Sequence, residues 1–280
     1  MLLAMIVLVV AIQAWPAFQT FGLGFVYQPV WNPVTDTYGA LSMIYGTLMS
    51  ALMALLIAVP LGVGAAIFLS ENFIPLPIRK VLIFLIELLA AIPSVVYGLW
   101  GIFVLIPLYR PWASWLHVNF GWMPLFNTPP VGPGMLPAAL VLAIMILPII
   151  TAISTDSLVA LPSDLRQAAL SVGASRWRTI LTVLLPAAIS GIGGGVMLAL
   201  GRAMGETMAV TMLIGNANQL SVSVLAPANT IASLLANQFA ESRGLQVSAL
   251  MYAAFVLIIM ILVVNILAQM IVGKIRAKYQ

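Results

Sequence analysis

The sequence predicts an all-α polytopic membrane protein with six transmembrane helices. The first observation is composition: 63% of the 280 residues are hydrophobic and 6% are charged, whereas soluble domains carry about 25% charged residues. The second is distribution, because the apolar residues form long segments separated by turns and by loops rich in polar residues, proline and tryptophan. A membrane-crossing helix needs about 20 mainly apolar residues, and all segments but the first approach or exceed that length.

We expect the six spans at residues 1–15, 40–69, 79–108, 135–153, 187–214 and 245–272. The first is short, and it has neither a basic segment before it nor a small-residue cleavage site after it. We therefore expect no cleavable signal and further residues upstream of Met1. Pro93 interrupts the third span, and residues 109–134, with three tryptophans and five prolines, are expected to form an interfacial loop. A short helix is expected to begin near Thr230, in the loop before the last span.

The basic residues indicate how the chain is oriented. Six spans place both termini on one side of the membrane, together with the loops that follow the second and fourth spans. The basic residues on this side are Arg79, Lys80, Arg166, Arg176, Arg178, Lys274, Arg276 and Lys278. The opposite side has Arg110 and Arg243. Because cytoplasmic loops carry the excess of basic residues, we expect both termini to be cytoplasmic.

The composition also limits the chemistry. Cysteine is absent and there is one histidine, His117, which we interpret as an ordinary loop side chain, so we expect no metal site and no cofactor. Because the chain has so few charges, we interpret its pI of about 9.6 as a sign of membrane orientation and not of nucleic-acid binding. We expect the spans to be surrounded by membrane lipid. The chain lacks the Gly-x-x-x-x-Gly-Lys-Ser/Thr motif of a phosphate-binding loop, so any ATP must be bound by a partner.

Residues 160–182, between the fourth and fifth spans, form the longest polar interruption on the expected cytoplasmic side. Ser163 is placed to cap a helix with Asp164 in its first turn, Gly173 to end it in a left-handed conformation, and Ser175 to cap a second helix. Small apolar residues recur on one face of the first helix: Leu165, Ala168, Ala169 and Val172. A docking element and a surface helix at the membrane interface fit this pattern equally well.

This loop resembles a signature of the membrane subunits of ATP-driven (ABC) importers. That signature is Glu-Ala-Ala, three residues, Gly, nine residues, then an apolar residue two before Leu-Pro. The matching positions are Gln167, Ala168, Ala169, Gly173, Val183, Leu185 and Pro186. The resemblance implies a type I importer permease (MetI-like) fold for a single domain of residues 1–280. It also implies that Asp164 and the matched residues 167–173 dock into a groove of an ATP-hydrolysing subunit. Gln167 stands where the family usually has Glu, which removes one possible ion pair with that subunit.

Arg202 lies more than ten residues from either end of the expected fifth span. A charge at that depth costs at least ~2.5–3.5 kcal/mol, and such residues face a bundle interior or a watery cavity. Glu206 is four residues further on and is expected on the same helix face. An intrahelical ion pair that fixes packing is the alternative, although Arg before Glu is its weaker orientation.

The chemistry of this pair suits an oxyanion. The planar guanidinium of Arg202 matches phosphate oxygens in a bidentate manner and stays charged. We interpret the Glu206 carboxylate as a holder of the arginine in the absence of substrate. It can also accept a hydrogen bond from a protonated phosphate oxygen, which sulfate lacks at neutral pH.

A closer resemblance involves most of the chain. Residues 201–211 read Gly-Arg-Ala-Met-Gly-Glu-Thr-Met-Ala-Val-Thr and are followed by Ile214-Gly215-Asn216. Together with residues 88–98, 38–40 and 229–241, they are similar to the C-type membrane subunits of the bacterial high-affinity phosphate importer. The resemblance implies that Arg202 and Glu206 contribute to phosphate passage across the bacterial inner membrane.

The same resemblance implies the partners of the chain. They are an A-type permease subunit that completes a heterodimer, two ATP-binding subunits and an external phosphate-binding protein. No catalytic residue is expected in this chain, because ATP is hydrolysed by the partners.

Other polar residues in the spans are weaker candidates. Pro93 frees a backbone carbonyl in mid-span, which is tolerated where it lines a cavity or is buried, so we add Ser94 and Tyr97 to the expected substrate pathway. We interpret Glu87 as structural and Asp156 as positioning the 160–182 loop.

Three alternatives remain open at the level of the sequence. The first is an importer of another oxyanion, sulfate or molybdate. The second is an intramembrane enzyme acting on a lipid phosphate, which would need a nucleophile or acid–base group beside Arg202. The third is a passive anion channel, against which the expected docking loop argues.

Overall fold

The computed structural model describes residues 2–71 and 73–279 and is mainly helical. Its α-helices are α1 (Leu2–Phe21), α2 (Gly24–Tyr27), α3 (Leu41–Ser70), α4 (Leu76–Ala91), α5 (Ser94–Trp100), α6 (Ile106–Phe120), α7 (Met135–Val159), α8 (Ser163–Ser171), α9 (Arg176–Thr179), α10 (Leu185–Gly205), α11 (Met208–Leu213), α12 (Ile231–Gln238) and α13 (Leu245–Tyr279). Strands β1 (Trp31–Asn32) and β2 (Thr37–Tyr38) form an antiparallel hairpin with Trp31 opposite Tyr38.

Among the described residues, six helices are long and apolar enough to cross a membrane, as predicted. They are Ala4–Phe21, Leu41–Ser70, Ser94–Phe120, Met135–Val159, Arg176–Gly205 and Leu245–Ile275. The short helix predicted near Thr230 is also confirmed, since the Thr230 side chain accepts a hydrogen bond from the backbone N–H of Ser233 and caps α12.

The third span differs from the prediction. Ile92 takes an extended conformation before Pro93, as residues before proline do, and this separates α4 from the membrane-length helix that follows. That helix continues to Phe120, so the first part of the expected loop at 109–134 is helical. His117 therefore lies on a helix, with its Nδ1 2.8 Å from the carbonyl oxygen of Phe126.

The fifth span is also displaced from residues 187–214. Ser175 caps α9 through its hydroxyl oxygen, and helical backbone continues from there to Gly205. The early start has a local cause, since the cap allows the helix to form before the apolar residues begin. The early end leaves Glu206 and Thr207 outside regular structure, before α11.

Two π-helical segments, Gly101–Leu105 and Ile180–Leu184, interrupt these spans. Each ends two residues before a proline, Pro107 or Pro186. Proline has no N–H and its ring clashes with the carbonyl four residues earlier, so the helix widens locally to bonds between residues five apart. Such segments allow the span to continue past the proline.

Contacts divide the chain into two compact units. The first comprises Met1–Met53, Pro93–Leu142 and Ala203–Leu262, and it contains Ser94, Tyr97 and Glu206. The second comprises Ala54–Ile92, Ala143–Arg202 and Val263–Gln280, and it contains Arg202 and the 160–182 loop. Four of the five divisions fall inside α3, α7, α10 and α13, and the fifth falls between α4 and α5.

An aromatic cluster forms part of the core of the first unit. Phe25 stacks on Tyr252 with ring centroids 4.3 Å apart, and Trp31 and Tyr38 meet edge to face at 4.9 Å. Tyr38 is buried, and its hydroxyl donates to Oδ1 of Asp36 at 3.0 Å. Burial, followed by the neighbouring carboxylate, raises the pKa of Tyr38 to about 12.

The second unit has an aliphatic core that fixes the ends of the helices flanking the 160–182 loop. Its buried residues are Ala66, Leu158, Ile180, Leu184, Ala188 and Ile192. They come from α3, α7, the second π-helical segment and α10, so these elements are held together directly beside the loop.

Candidate functional site

Arg202 lies in the last turn of α10 and its side chain is exposed on this chain. The preceding residue, Gly201, faces α13: a Cβ built there would lie 3.9 Å from Nδ2 of Asn265. Two turns earlier, a Cβ at Gly193 would lie 2.6 Å from Cγ2 of Val272. The helices therefore run antiparallel with glycines at their contact, and Asn265 lies at the depth of Arg202.

Asn265 was not predicted from the sequence. Its Oδ1 is buried and has no hydrogen-bond partner among residues 2–71 and 73–279. An unpartnered amide oxygen in a span is costly, and an amide offers both a donor and an acceptor to a ligand. The signal available in the sequence was a lone asparagine within an apolar run of α13.

Glu206 directly follows α10, which ends at Gly205, and its position on the helix face of Arg202 stays a prediction. The Glu206 carboxylate is directed to α11, where Oε1 accepts a hydrogen bond from the backbone N–H of Ala209 at 3.4 Å. The alternative, an intrahelical ion pair of Glu206 with Arg202, is not formed among the described residues, where the ion pair present is that of Arg166 with Glu71.

The two candidates on α5 lie beside α11. Gly98 of α5 contacts α11 closely, because a Cβ there would lie 2.5 Å from Sδ of Met212 and 3.3 Å from Cα of Ala209. Tyr97 is buried in this contact region, and Ser94 is the first residue of α5 and is half-buried. The structure thus brings the helix bearing Ser94 and Tyr97 against the helix that Glu206 caps.

The 160–182 loop forms two short helices, α8 and α9, as predicted. Gly173 ends α8 with a φ of +81°, a left-handed conformation that favours glycine, and the N–H of Ala174 bonds to the carbonyl of Ala169 at 3.1 Å. The predicted cap at Ser163 is wrong, because α8 begins at Ser163 itself after Pro162. The Ser163 hydroxyl instead donates to Oδ1 of Asp164 at 3.3 Å.

Most of the predicted docking residues on α8 are exposed on this chain. Asp164, Gln167 and Ala168 are exposed, whereas Ala169 is buried against the rest of the second unit. Of the predicted apolar stripe, Val172 is 85% exposed. An apolar side chain this exposed at the tip of a loop is available to a partner.

Sequence reasoning also missed the contacts that hold the loop in place. The sequence indicates for Arg166 only a basic charge on the expected cytoplasmic side. Its Nε lies 3.1 Å from Oε1 of Glu71, its Nη2 donates to the carbonyl of Leu158 at 3.0 Å, and its Nη1 donates to that of Leu161 at 3.4 Å. The sequence separation of 95 residues left no local signal for the ion pair.

Comparison with known proteins identifies the family. Residues 58–278 match the family described as the binding-protein-dependent transport system inner membrane component. The chain belongs to this family. It is therefore an inner membrane component of a transport system rather than an enzyme, which removes the lipid-phosphate enzyme as an alternative.

Two relatives in the family are phosphate transport system permease proteins named PstC. That of Mesorhizobium japonicum is 45% identical over 271 residues, covering 95% of this chain and 83% of the relative. That of Pasteurella multocida is 42% identical over 283 residues, covering 99% and 88%. These relatives confirm the predicted resemblance to the C-type subunits.

Two solved structures of ABC transporter chains show the same fold. A chain of the MetNI methionine ABC transporter has a TM-score of 0.58 at 16% identity, covering 85% of this chain and 94% of the other. A chain of a bacterial ABC transporter that imports the acidic polysaccharide alginate has a TM-score of 0.60 at 16% identity, covering 91% and 88%. The predicted importer-permease fold is confirmed.

Proposed function

We propose that this chain is the transmembrane subunit of an ATP-driven importer of inorganic phosphate. The observation that carries the proposal is the 45% identity to a PstC permease over 95% of this chain. The chain forms a heterodimer with an A-type permease subunit, and the two alternately open a pathway to either side of the membrane. Two ATP-binding subunits supply the energy, and an external phosphate-binding protein delivers the anion.

Arg202 is the principal anion-binding group of the proposed pathway. Its exposure on the isolated chain leaves the guanidinium available to a ligand or to the second subunit, and its fork of donors suits phosphate oxygens. Asn265, at the same depth on α13, supplies a further hydrogen-bonding group. Phosphate at neutral pH offers both donor and acceptor oxygens, which an amide matches.

Glu206 and α5 form the second part of the proposed pathway. The Glu206 carboxylate accepts a hydrogen bond from a protonated phosphate oxygen, while Ser94 and Tyr97 line the pathway on the neighbouring helix. The break between α10 and α11 supports this assignment, because non-helical backbone at membrane depth is tolerated where it lines a cavity or is buried in protein.

The 160–182 loop is the proposed docking element for the ATP-binding subunits. Asp164, Gln167 and Ala168 are its exposed contact residues, while Ala169 and Gly173 keep α8 close to the chain and end it. The exposed apolar side chain of Val172 supports the proposal, because a partner surface would cover it. The excess of basic residues on this side supports a cytoplasmic position for the loop, where ATP is available.

The test is phosphate uptake by the reconstituted complex. The chain is purified with its second permease subunit and ATP-binding subunits and inserted into vesicles, and the binding protein is added outside. We expect uptake of labelled phosphate only when both ATP and the binding protein are present. Arg202→Gln should lower uptake by roughly 10- to 100-fold, as expected for the loss of a charge-assisted hydrogen bond worth about 1.5–3 kcal/mol.

Two results would contradict the proposal. Phosphate flux without ATP and binding protein would indicate a channel, and uptake of sulfate or molybdate in place of phosphate would indicate another oxyanion importer. Arg243→Gln is the matched control, because Arg243 is exposed in the loop before α13. It should leave uptake unchanged.

A further inference from the structure

Arg166 connects α8 to the ends of two other helices of the second unit through one guanidinium group. Its Nε pairs with Glu71 at 3.1 Å, and its two terminal nitrogens donate to the carbonyls of Leu158 and Leu161. The side chains of Arg166 and Glu71 are 25% and 11% exposed. Arg166 therefore points from α8 into the chain, away from the surface that a partner would contact.

The two helix ends are those of α3 and α7, both long enough to cross the membrane. Glu71 directly follows α3, and its N–H still bonds to the carbonyl of Ile67 at 3.1 Å. Leu158 lies in the last turn of α7, and Leu161 lies just beyond that helix. Carbonyls at a helix C-terminus carry partial negative charge and favour a cation, so the site is built for a guanidinium.

A second set of contacts holds the turn after α3, and these contacts come from α9 of the 160–182 loop. Cζ of Arg176, the first residue of α9, lies 3.9 Å from the centroid of the Phe73 ring. Trp177 packs on the same ring with centroids 5.4 Å apart, and Phe68 of α3 stacks on it at 6.0 Å. The turn after α3 is thus bound by α8 through Glu71 and by α9 through Phe73.

We propose that Arg166 is a positioning residue that couples movement of α8 to α3 and α7. This inference rests on the proposed function of the 160–182 loop. When an ATP-binding subunit displaces α8, the Glu71 pair transmits the displacement to the end of α3, and the two carbonyl bonds transmit it to the end of α7. Without these bonds, α8 keeps its covalent connections and the packing of Ala169, but it loses the polar connection to the ends of α3 and α7.

The contacts of Arg166 require the planar guanidinium group of arginine and not only a positive charge. Its planar group carries five N–H donors in fixed directions, whereas lysine presents a compact ammonium on a flexible stem. Arg166→Lys can pair with Glu71 but cannot reach both carbonyls with the same geometry. Arg166→Gln removes the charge and most of the donors.

The experiment measures phosphate transported per ATP hydrolysed by the complete complex in vesicles. We expect the Arg166→Gln complex to assemble and hydrolyse ATP, while this ratio falls about tenfold, within the range of measured effects on coupling between sites. Glu71→Gln should lower the ratio less, because the two carbonyl bonds remain. The double variant should equal Arg166→Gln alone, since both changes remove the same connection, and Arg166→Lys should be intermediate.

A control variant and a second measurement separate coupling from folding. Lys80→Gln removes an exposed cation of α4 on the same side and should leave the ratio unchanged. Thermal unfolding and copurification of the ATP-binding subunits report how much complex is assembled. A merely structural role would lower transport and ATP hydrolysis together, in proportion to the assembled complex, and that result would overturn the inference.

An unchanged ratio in Arg166→Gln would overturn the inference as well. Failure of the proposed function is seen separately, because it would abolish ATP-dependent phosphate uptake in the unmodified complex. Failure of the coupling role would be seen only in the Arg166 and Glu71 variants, because the unmodified complex would still take up phosphate normally.

Discussion

Glu206 has two possible roles that one substitution separates. Its Oε1 accepts the N–H of Ala209, and its charge is proposed to meet a protonated phosphate oxygen. Glu206→Gln keeps an oxygen acceptor for α11 but removes the charge. We therefore expect slower phosphate uptake, by roughly 10-fold for the loss of a hydrogen bond to a charged group, with assembly unchanged.

Uptake rates and copurification of the partner subunits measure the effect of Glu206→Gln. Glu206→Leu is the comparison variant, because it removes the acceptor together with the charge and should also lower thermal stability. If Glu206→Gln transported phosphate at the normal rate, the carboxylate would have only its structural role at the start of α11.

Tyr38 makes the stability of the first unit depend on pH in the alkaline range. Its pKa is raised to about 12, whereas an unfolded tyrosine ionises near 10. Between these values the unfolded state has lost the proton that the folded state keeps, so stability falls as pH rises through this window. A shift of about two units corresponds to roughly 2–3 kcal/mol at pH 12.

Unfolding midpoints of the detergent-purified protein between pH 8 and 12 test this effect. Tyr38→Phe should lose less stability over the window than the unmodified protein, although it lacks the bond to Asp36 at neutral pH. Tyr27→Phe is the control, because Tyr27 is 74% exposed. Identical slopes for Tyr38→Phe and the unmodified protein would contradict the expectation.

The packing of α10 on α13 depends on Gly193 and not on the next residue, Gly194. A Cβ at Gly193 would lie 2.6 Å from Cγ2 of Val272, whereas a Cβ at Gly194 would meet no described atom within 4 Å. Gly193→Ala should destabilise the protein by about 1–3 kcal/mol through overpacking. Gly194→Ala should stabilise it by up to about 1 kcal/mol, because alanine is the better helix former. Thermal unfolding in detergent measures both.

Local signals predicted the helical elements well. Pro93, Ser175 and Gly173 act within a few residues of themselves, and the structure ends or begins a helix at each of them. The π-helical segments were not predicted, since whether a proline breaks a helix or is absorbed by it depends on packing. The same reason explains the shifted third span, which breaks at Pro93, whereas the fifth span begins early because Ser175 caps α9.

The candidate site was predicted only where one residue carries its own signal. Arg202 is a charge within an apolar span, which is visible in the sequence. The position of Glu206 outside α10, and the contacts of Arg166 and Asn265, arise from tertiary structure. Glu71 and Arg166 meet across 95 positions, and no periodicity encodes such a pair.

At the scale of the whole molecule, the same long helices connect the proposed docking surface on α8 with the proposed substrate pathway at Arg202. The second unit contains the exposed docking residues of α8, and α10 carries Arg202 at its other end. An ATP-binding subunit that docks on α8, as proposed, would therefore act on helices that are covalently continuous with the proposed pathway. The expectation of a single domain for residues 1–280 stays a prediction, as do the individual pathway residues.

The orientation of the chain can be tested with single cysteines, because the sequence contains none. Thr35 is exposed in the hairpin region between the first two spans, and Ser171 is exposed at the end of α8. With cytoplasmic termini, Thr35→Cys should react with a membrane-impermeant maleimide in spheroplasts, whereas Ser171→Cys should react only after permeabilisation. The expectation follows from the excess of lysine and arginine on the side of Ser171. Labelling of Ser171→Cys in sealed spheroplasts would invert the orientation and separate the docking loop from cellular ATP.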